Sequence, residues 1–270
     1  MTIRSPVIVP NTRKISVSRQ TNLGISTYDL DELYSPDTEF WKAKVLDLAS
    51  PKYPPQQASA PTRYIFDRSR YNNHGTIFGA TWVRLSSGLW VLSFDGTDDK
   101  VVVSHHASLN FGATDSFYIK VWMKSSRTTL QRITFKYTGT DTAWYGLATS
   151  VNAADGKAQF RIACTNAFAP AIEGNTNVCD DKWHQIYGIR DVASDVLRIV
   201  VDAVYDAVAV TDTTTGTITP AGDLGIGARP ADGANPFLGT PYALMEIGLG
   251  APTQEQIKNS RNREKHLFGV

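Results

Sequence analysis

Cysteine is scarce in this sequence: Cys164 and Cys179 are the only two in 270 residues. A disulfide framework or a zinc site needs more ligands than that. The pair is read as two buried thiols, with a single bridge closing a short loop as the alternative. Neither sign of charge is in excess, since 27 Lys and Arg face 26 Asp and Glu for a formal net charge of +1. A dedicated nucleic-acid binder shows a basic surplus, so nucleic acid is not an expected partner, although Arg13, Lys14 and Arg19 make one segment locally basic. No apolar run approaches the ~18 residues that cross a bilayer. The opening Met1-Thr-Ile-Arg-Ser-Pro6 carries no apolar stretch of a secretion signal. The expectation is a protein with no membrane span that is made in a cytoplasm and leaves it, if at all, by another route such as lysis.

Helical periodicity is also rare. Residues 28–49 hold the one helix-like segment of the N-terminal part, with Ser35-Pro36-Asp37 as its start and Phe40, Trp41, Val45, Leu46 and Leu48 as an apolar stripe. The stretch Ser50–Pro61 then carries four prolines in twelve residues. Proline locks φ and removes the amide donor, so this stretch is neither helix nor central strand and reads as an extended linker. Beyond it, short β-branched and aromatic runs alternate with Gly, Asp, Asn and Ser clusters. Phe117, Ile119, Val121 and Met123 fall on one face of such a run, and Tyr118, Lys120, Trp122 and Lys124 on the other. Many strands at short spacing without intervening helices predict a sandwich or barrel. One short helix is predicted near the end, at Thr253-Gln-Glu-Gln-Ile-Lys-Asn259, with Thr253 as N-cap. The chain divides into an arm with a proline-rich linker, residues 1–60, and a β-domain, residues 61–270.

The β-domain resembles the laminin-G-like, concanavalin-A-like lectin and glucanase family. Asp67-Arg-Ser-Arg-Tyr-Asn-Asn-His-Gly-Thr76 is similar to that family's opening turn, and Leu92-Ser-Phe-Asp-Gly-Thr-Asp-Asp-Lys-Val-Val-Val103 to its Phe-Asp-Gly hairpin. Ser108-Leu-Asn-Phe111 and Asp115-Ser-Phe-Tyr-Ile-Lys-Val-Trp122 resemble the next strand pair. Asp181-Lys-Trp-His-Gln-Ile-Tyr-Gly-Ile-Arg-Asp191 resembles its Trp-His strand, and Leu197-Arg-Ile-Val-Val-Asp202 the entry to a Val-Asp-Gly turn, with Ala203 where glycine is usual. Leu224-Gly-Ile-Gly-Ala-Arg229 and Ala251-Pro-Thr-Gln-Glu-Gln-Ile257 resemble the late strand and closing helix. The resemblance implies an all-β, antiparallel jelly-roll sandwich, here with an extended N-terminal arm and a short C-terminal helix. Asp95-Gly96 suits a two-residue turn, and Trp183 suits an inward anchor beneath a sheet.

That fold hosts many functions, so function must be sought in a site. Its glucan hydrolases carry Glu-x-Asp-x-x-Glu on one strand, which this sequence lacks. Asp98-Asp99 and Asp180-Asp181 are adjacent pairs, and no Glu is paired at strand spacing. No Gly-x-Ser-x-Gly elbow accompanies the five histidines; His184 reads as structural and His105-His106 as a surface turn. The expectation is no enzyme. The resemblance implies calcium as the one cofactor to consider, with Asp67 as a ligand. Its expected acidic partner falls on Ala243, however, and a hard cation wants several oxygens, so Asp67 reads first as the cap of its own turn. For a glycan ligand the candidates are Asp141, Trp144 and Tyr145, beside a Gly-containing turn that begins at Tyr137, and the Tyr118, Lys120, Trp122 face. Each has an alternative as core.

An arm with little core of its own gains order by docking, and Phe40, Trp41 and Leu46 are the candidate anchors. Without a secretion signal, a virion assembled in the host cytoplasm is a natural destination. The leading expectation is a non-catalytic virion accessory protein, of capsid decoration or tail or fibre, that partners other virion proteins or copies of itself and displays a lectin-like sandwich. The alternatives are a stand-alone carbohydrate-binding module, an arm that packs back on its own sandwich and, more remotely, a glycosidase.

Overall fold

The computed structural model describes residues 43–48, 64–137, 142–164, 171–242 and 245–270. Their strands are β1 (Lys44–Leu48), β2 (Tyr64–Ile65), β3 (Gly75–Phe78), β4 (Thr81–Arg84), β5 (Trp90–Asp95), β6 (Lys100–Val103), β7 (Phe117–Met123), β8 (Gln131–Lys136) and β9 (Trp144–Thr149). There follow β10 (Lys157–Ala163), β11 (Ile172–Asn177), β12 (His184–Asp191), β13 (Val196–Val201), β14 (Val204–Tyr205), β15 (Val210–Thr211), β16 (Leu224–Ile226), β17 (Leu238–Tyr242) and β18 (Met245–Leu249). One α-helix, α1 (Gln254–Glu264), comes after them.

Two antiparallel sheets face each other. One runs β1-β18-β7-β12-β13-β14, with β15 also on β13, and the other runs β11-β10-β9-β8-β16-β6-β3-β2. A smaller sheet, β17-β5-β4, accompanies them. The pairs β1-β18, β18-β7, β7-β12, β8-β16, β16-β6 and β17-β5 join strands far apart in sequence, while β8 to β11 and β12 to β14 run as consecutive neighbours. The core lies between the two large sheets. Phe117, Ile119, Val121 and Met123 of β7 meet Tyr145, Leu147, Phe160 and Ile162 of β9 and β10, all of them 0% exposed. Burying each large apolar side chain contributes roughly 1.5–3 kcal/mol. Glycine sets the sheet-to-sheet fit at one point: a Cβ on Gly188 would lie 2.4 Å from Cδ2 of Phe160, so the Phe160 ring packs directly on the β12 backbone.

The segment expected to be helical before the prolines is instead strand β1, paired with β18. Val45, Leu46 and Leu48 enter the core, and Leu46 is 0% exposed. Five residues are too few to separate the two periodicities, and pairing with β18 decides the outcome. The sandwich therefore includes residues N-terminal to the proline-rich stretch, and Leu46 serves it as core. Phe40 and Trp41 lie outside the described residues. Asp95-Gly96 does not close a two-residue hairpin, because β5 and β6 belong to different sheets. Asp95 Oδ1 accepts from Thr97 N (2.8 Å) and Asp99 Oδ2 from Asp95 N (2.8 Å), which turns the chain from one sheet to the next. Trp183 packs on Phe268 at 4.8 Å, away from the main core; Ile186 takes the inward position instead.

The outward residues of β7 are also buried, because the C-terminal segment covers them. Thr253 caps α1, with its Oγ1 accepting from Gln256 N (3.2 Å) and Gln256 Oε1 accepting from Thr253 N (2.8 Å). Trp122 stacks on Phe268 at 4.3 Å, and Tyr118 and Tyr187 pack with Ile257. Between these apolar contacts lie buried charges. Lys120 Nζ donates to Glu246 Oε1 (3.2 Å) and to Glu264 Oε1. Lys44 Nζ donates to Glu246 Oε1 (3.1 Å) and to Asp47 Oδ2 (3.2 Å). Trp122 Nε1 and Gln185 Nε2 donate to Glu264 Oε2 at 2.7 and 3.1 Å. Removing one member strands its partners without water. Glu264→Ala is expected to cost about 3–5 kcal/mol in urea unfolding, with loss of the near-ultraviolet signal of Trp122, whereas the same change at Glu255, at the exposed start of α1, leaves both nearly unchanged.

Candidate functional site

With one outer face covered by α1, the outer face of the eight-stranded sheet is the broad surface to examine. Alternation along β9 and β10 sends Tyr145, Leu147, Phe160 and Ile162 into the core. It sends Trp144, Gly146, Ala148, Gln159, Arg161 and Ala163 outward. The register confirms this, because Trp144 opposes Ala163, Gly146 opposes Arg161 and Ala148 opposes Gln159. In β8 the register slips between Arg132 and Thr134. Ile133 and Thr134 thus occupy the inner side in succession, while Arg132 and Phe135 both face outward, three residues apart. A bulge re-aims side chains in this way.

The result is an aromatic row on which arginines lie. The Phe135 ring is 5.2 Å from Trp144 and 5.7 Å from Tyr137. Arg132 sits over Phe135 at 4.6 Å, Arg161 over Trp144 at 5.3 Å and Arg229 over Tyr137 at 5.6 Å. Such cation–π contacts hold guanidinium groups flat and partly dry. Gly146 makes room for the row, since a Cβ there would lie 2.3 Å from Cδ2 of Phe135. Only one of the three arginines is neutralised by an ion pair: Arg229 Nε donates to Asp232 Oδ1 (2.7 Å) and Nη2 to Oδ2. Arg132 and Arg161 form no ion pair among the described residues, and the Nε of each is buried without an acceptor. Burial, with the charges of Arg161 and Arg229 adding to it, pulls the Arg132 guanidinium down to about 10. The floor is polar at Gln159, whose Nε2 donates to Glu173 Oε2 (3.2 Å) and whose Oε1 has no partner.

The predicted site residues divide. Trp144 is half-buried on this face, and Asp141 lies outside the described residues. Tyr145, its chain neighbour, is in the core, with its hydroxyl donating to Leu109 O at 3.0 Å. Tyr118 and Trp122 are 0% exposed beneath the C-terminal segment and present no surface to a ligand there. Arg132, Phe135, Arg161 and Arg229 were not singled out from sequence. The outward position of Arg161 was readable from its neighbours Phe160 and Ile162, but that of Arg132 was hidden by the bulge.

Asp67 does what its turn requires. Its Oδ1 accepts from Asp47 N (2.8 Å) and Ser69 N (2.9 Å), and its Oδ2 from Ser69 Oγ (2.6 Å) and Asn73 N (2.7 Å). Four hydrogens point at the two oxygens, a donor set that does not fit calcium. Glu246 is equally committed: despite burial, Lys120 and Lys44 hold its carboxyl well below the usual range, which unfits it as a general acid near neutrality. Asp95, Asp98 and Asp99 come together in one loop, where Asp99 is spent on the turn described above. Cys164 and Cys179 are buried thiols rather than a bridge.

The family model described as the concanavalin A-like lectin/glucanases superfamily matches residues 95–257, more than half of the chain. The chain belongs to that superfamily. No curated protein matches it in sequence. Among solved structures, this superfamily member is similar to the binding domain of Paraclostridial Mosquitocidal Protein 1, with a TM-score of 0.59 and 11% identity over 84% of this chain and 55% of that one. It is similar to the binding domain of botulinum neurotoxin serotype D, with a TM-score of 0.60 and 10% identity over 85% and 52%. It is also similar to domain 4 of AbnA, an extracellular arabinanase of Geobacillus stearothermophilus, solved in complex with arabinotriose, with a TM-score of 0.53 and 15% identity over 72% and 90%. The chain thus spans about half the length of the toxin domains. At these identities the likeness is one of fold. Among the described residues, no helix is long and apolar enough to cross a membrane.

A separate charged cluster closes the β12–β13 end of the superfamily fold. His184 lies between Asp202 (Nδ1 to Oδ2, 2.7 Å) and Asp180 (Nε2 to Oδ1, 3.0 Å). Burial opposes the imidazolium, but both carboxylates favour it and its pKa is raised. Asp180 is lowered to about 2 and Asp202 is lowered, burial in each being outweighed by bonds that include His184. A raised histidine contributes stability that is complete below its unfolded value of about 6.5 and is lost as pH rises through the folded value. The lowered aspartates contribute stability above about 4 that is lost on acidification. Scanning calorimetry across the pH range 5 to 9 is expected to show Tm falling on the alkaline side, and His184→Gln is expected to flatten that limb.

Proposed function

We propose that this protein is a non-catalytic carbohydrate-binding module whose binding surface is the outer face of the eight-stranded sheet, centred on Trp144, Phe135, Arg132 and Arg161. The observation that carries the reading is the pairing of three aromatic rings with three guanidinium groups on one sheet face. Sugar rings have apolar faces and polar rims. Half-buried Trp144 and Tyr137, beside the buried Phe135, offer apolar surface, and the guanidinium groups flanking them offer donors. The arabinotriose held by the similar arabinanase domain supports the reading at the level of fold. A non-catalytic role is supported by the carboxylates described, since Glu246, Glu264 and Asp67 are all committed to structural bonds.

The virion-accessory reading rests on the arm, residues 1–60. Of these only 43–48 are described, and 44–48 form a sandwich strand. Carbohydrate binding therefore comes first, and display on a virion would be one setting for it. A glycan array probed with the full chain is expected to give saturable hits. Trp144→Ala is expected to weaken them by at least tenfold, about 1.4 kcal/mol, with the thermal midpoint little changed. An array on which the intact chain binds no glycan would remove the reading.

A further inference from the structure

We infer that the ligand of this face is an acidic glycan, one bearing carboxylate or sulfate groups that Arg132 and Arg161 receive. This inference rests on the carbohydrate-binding reading above and narrows its ligand class.

Three cationic groups are drawn to one sheet face of a chain whose net charge is only +1, so the local excess is not a by-product of general basicity. Like charges brought together repel, and partial burial strengthens the repulsion. Arg229 is relieved by Asp232. Arg132 and Arg161 have no ion-pair partner among the described residues, and their buried Nε donors lack acceptors. A buried donor without an acceptor has a cost, and an incoming oxyanion would remove both that cost and the repulsion. The planar fork of a guanidinium matches a carboxylate or sulfate through two parallel bonds. Contact with the Phe135 and Trp144 rings restrains each guanidinium before the ligand arrives, which lowers the ordering cost of binding.

A neutral sugar would be poorly matched. Its hydroxyls donate as well as accept, and sites for them need acceptors. Among the described residues the acceptors of this face are few: Glu173 already accepts from Asn152 (2.7 Å) and Gln159 (3.2 Å), which leaves the buried Oε1 of Gln159. A row of rings and arginines also suits single-stranded nucleic acid. That ligand needs cations repeated along a track, however, and among the described residues this face carries three ring-and-guanidinium pairs.

The test is titration calorimetry of the full chain with oligogalacturonate, a heparin oligosaccharide, neutral arabino- and cello-oligosaccharides, and oligo-dT. The acidic glycans are expected to bind at least tenfold more tightly than the neutral ones. Their affinity is expected to fall steeply with added salt, because exposed charges are screened. Arg132→Gln and Arg161→Gln are each expected to reduce acidic-glycan binding by about tenfold or more, with Arg161→Lys as a second, milder variant and the thermal midpoint as the check on folding. Equal binding of neutral and acidic sugars would overturn the inference and leave the carbohydrate reading standing. Preference for oligo-dT, or acidic-glycan binding indifferent to both arginines, would also overturn it. Binding of no sugar would remove the carbohydrate reading and this inference with it.

Discussion

Lys120 lies at the centre of the seven-stranded sheet, 0% exposed, and the placement of the surrounding elements depends on how its charge is met. Glu246 on the neighbouring strand and Glu264 on the C-terminal helix share it, and Lys44 of the first described strand shares Glu246. An isolated ammonium in that position would cost several kcal/mol. The sheet can therefore keep Lys120 only with Glu246 beside it and the helix docked, while Lys44 ties the first strand to the same Glu246. A buried ion pair of this kind adds little net stability compared with an apolar replacement, but it penalises any arrangement in which a partner is missing. Segments from positions 44, 120, 246 and 264 are thereby held to one geometry.

The closure of that face has a consequence for function. Trp122, which offers the indole a sugar would want, is spent on Phe268 and Glu264, and the acidic groups that could have served catalysis are neutralised within the lock. On the opposite sheet the loop after β16 packs over Gly225, while Arg132, Trp144 and Arg161 remain partly exposed. There the outward positions of β8 and β10 carry arginine, and glycine and alanine on β9 let the aromatic row lie close to the backbone. One sheet face is used for assembly of the fold, and on the other Arg132, Trp144 and Arg161 keep partial exposure above a floor buried at Ala148, Gln159 and Ala163.

Much of this was legible in the residues. The two-faced alternation of 117–123, the N-cap at Thr253 and the turn-capping role of Asp67 were all read correctly, because each is a local rule satisfied by nearby residues. What failed depended on distant partners. Tyr118 and Trp122 were recognised as outward, but what covers them comes about 140 residues later. Val45, Leu46 and Leu48 fit helix and strand alike until β18 is placed beside them. Arg132 and Phe135 share a face only because Ile133 is bulged, and nothing in Gln131-Arg-Ile-Thr-Phe135 announces the slip. The site was half-seen at Trp144, whose neighbours in sequence pointed to a loop, whereas its functional neighbours lie across the sheet.

The arrangement also bears on how the module would be carried. The first described strand is the edge of the seven-stranded sheet and α1 lies over that sheet's outer face, so the described segments nearest both ends are held on the same half of the sandwich. The arginine face belongs to the other half, with the core between. The described segments nearest both ends, β1 and α1, thus lie away from the proposed binding surface. The charge lock adds to this placement, joining Lys44 of β1 and Glu264 of α1 through Glu246 and Lys120, beside the apolar contacts of Leu46 and Ile257.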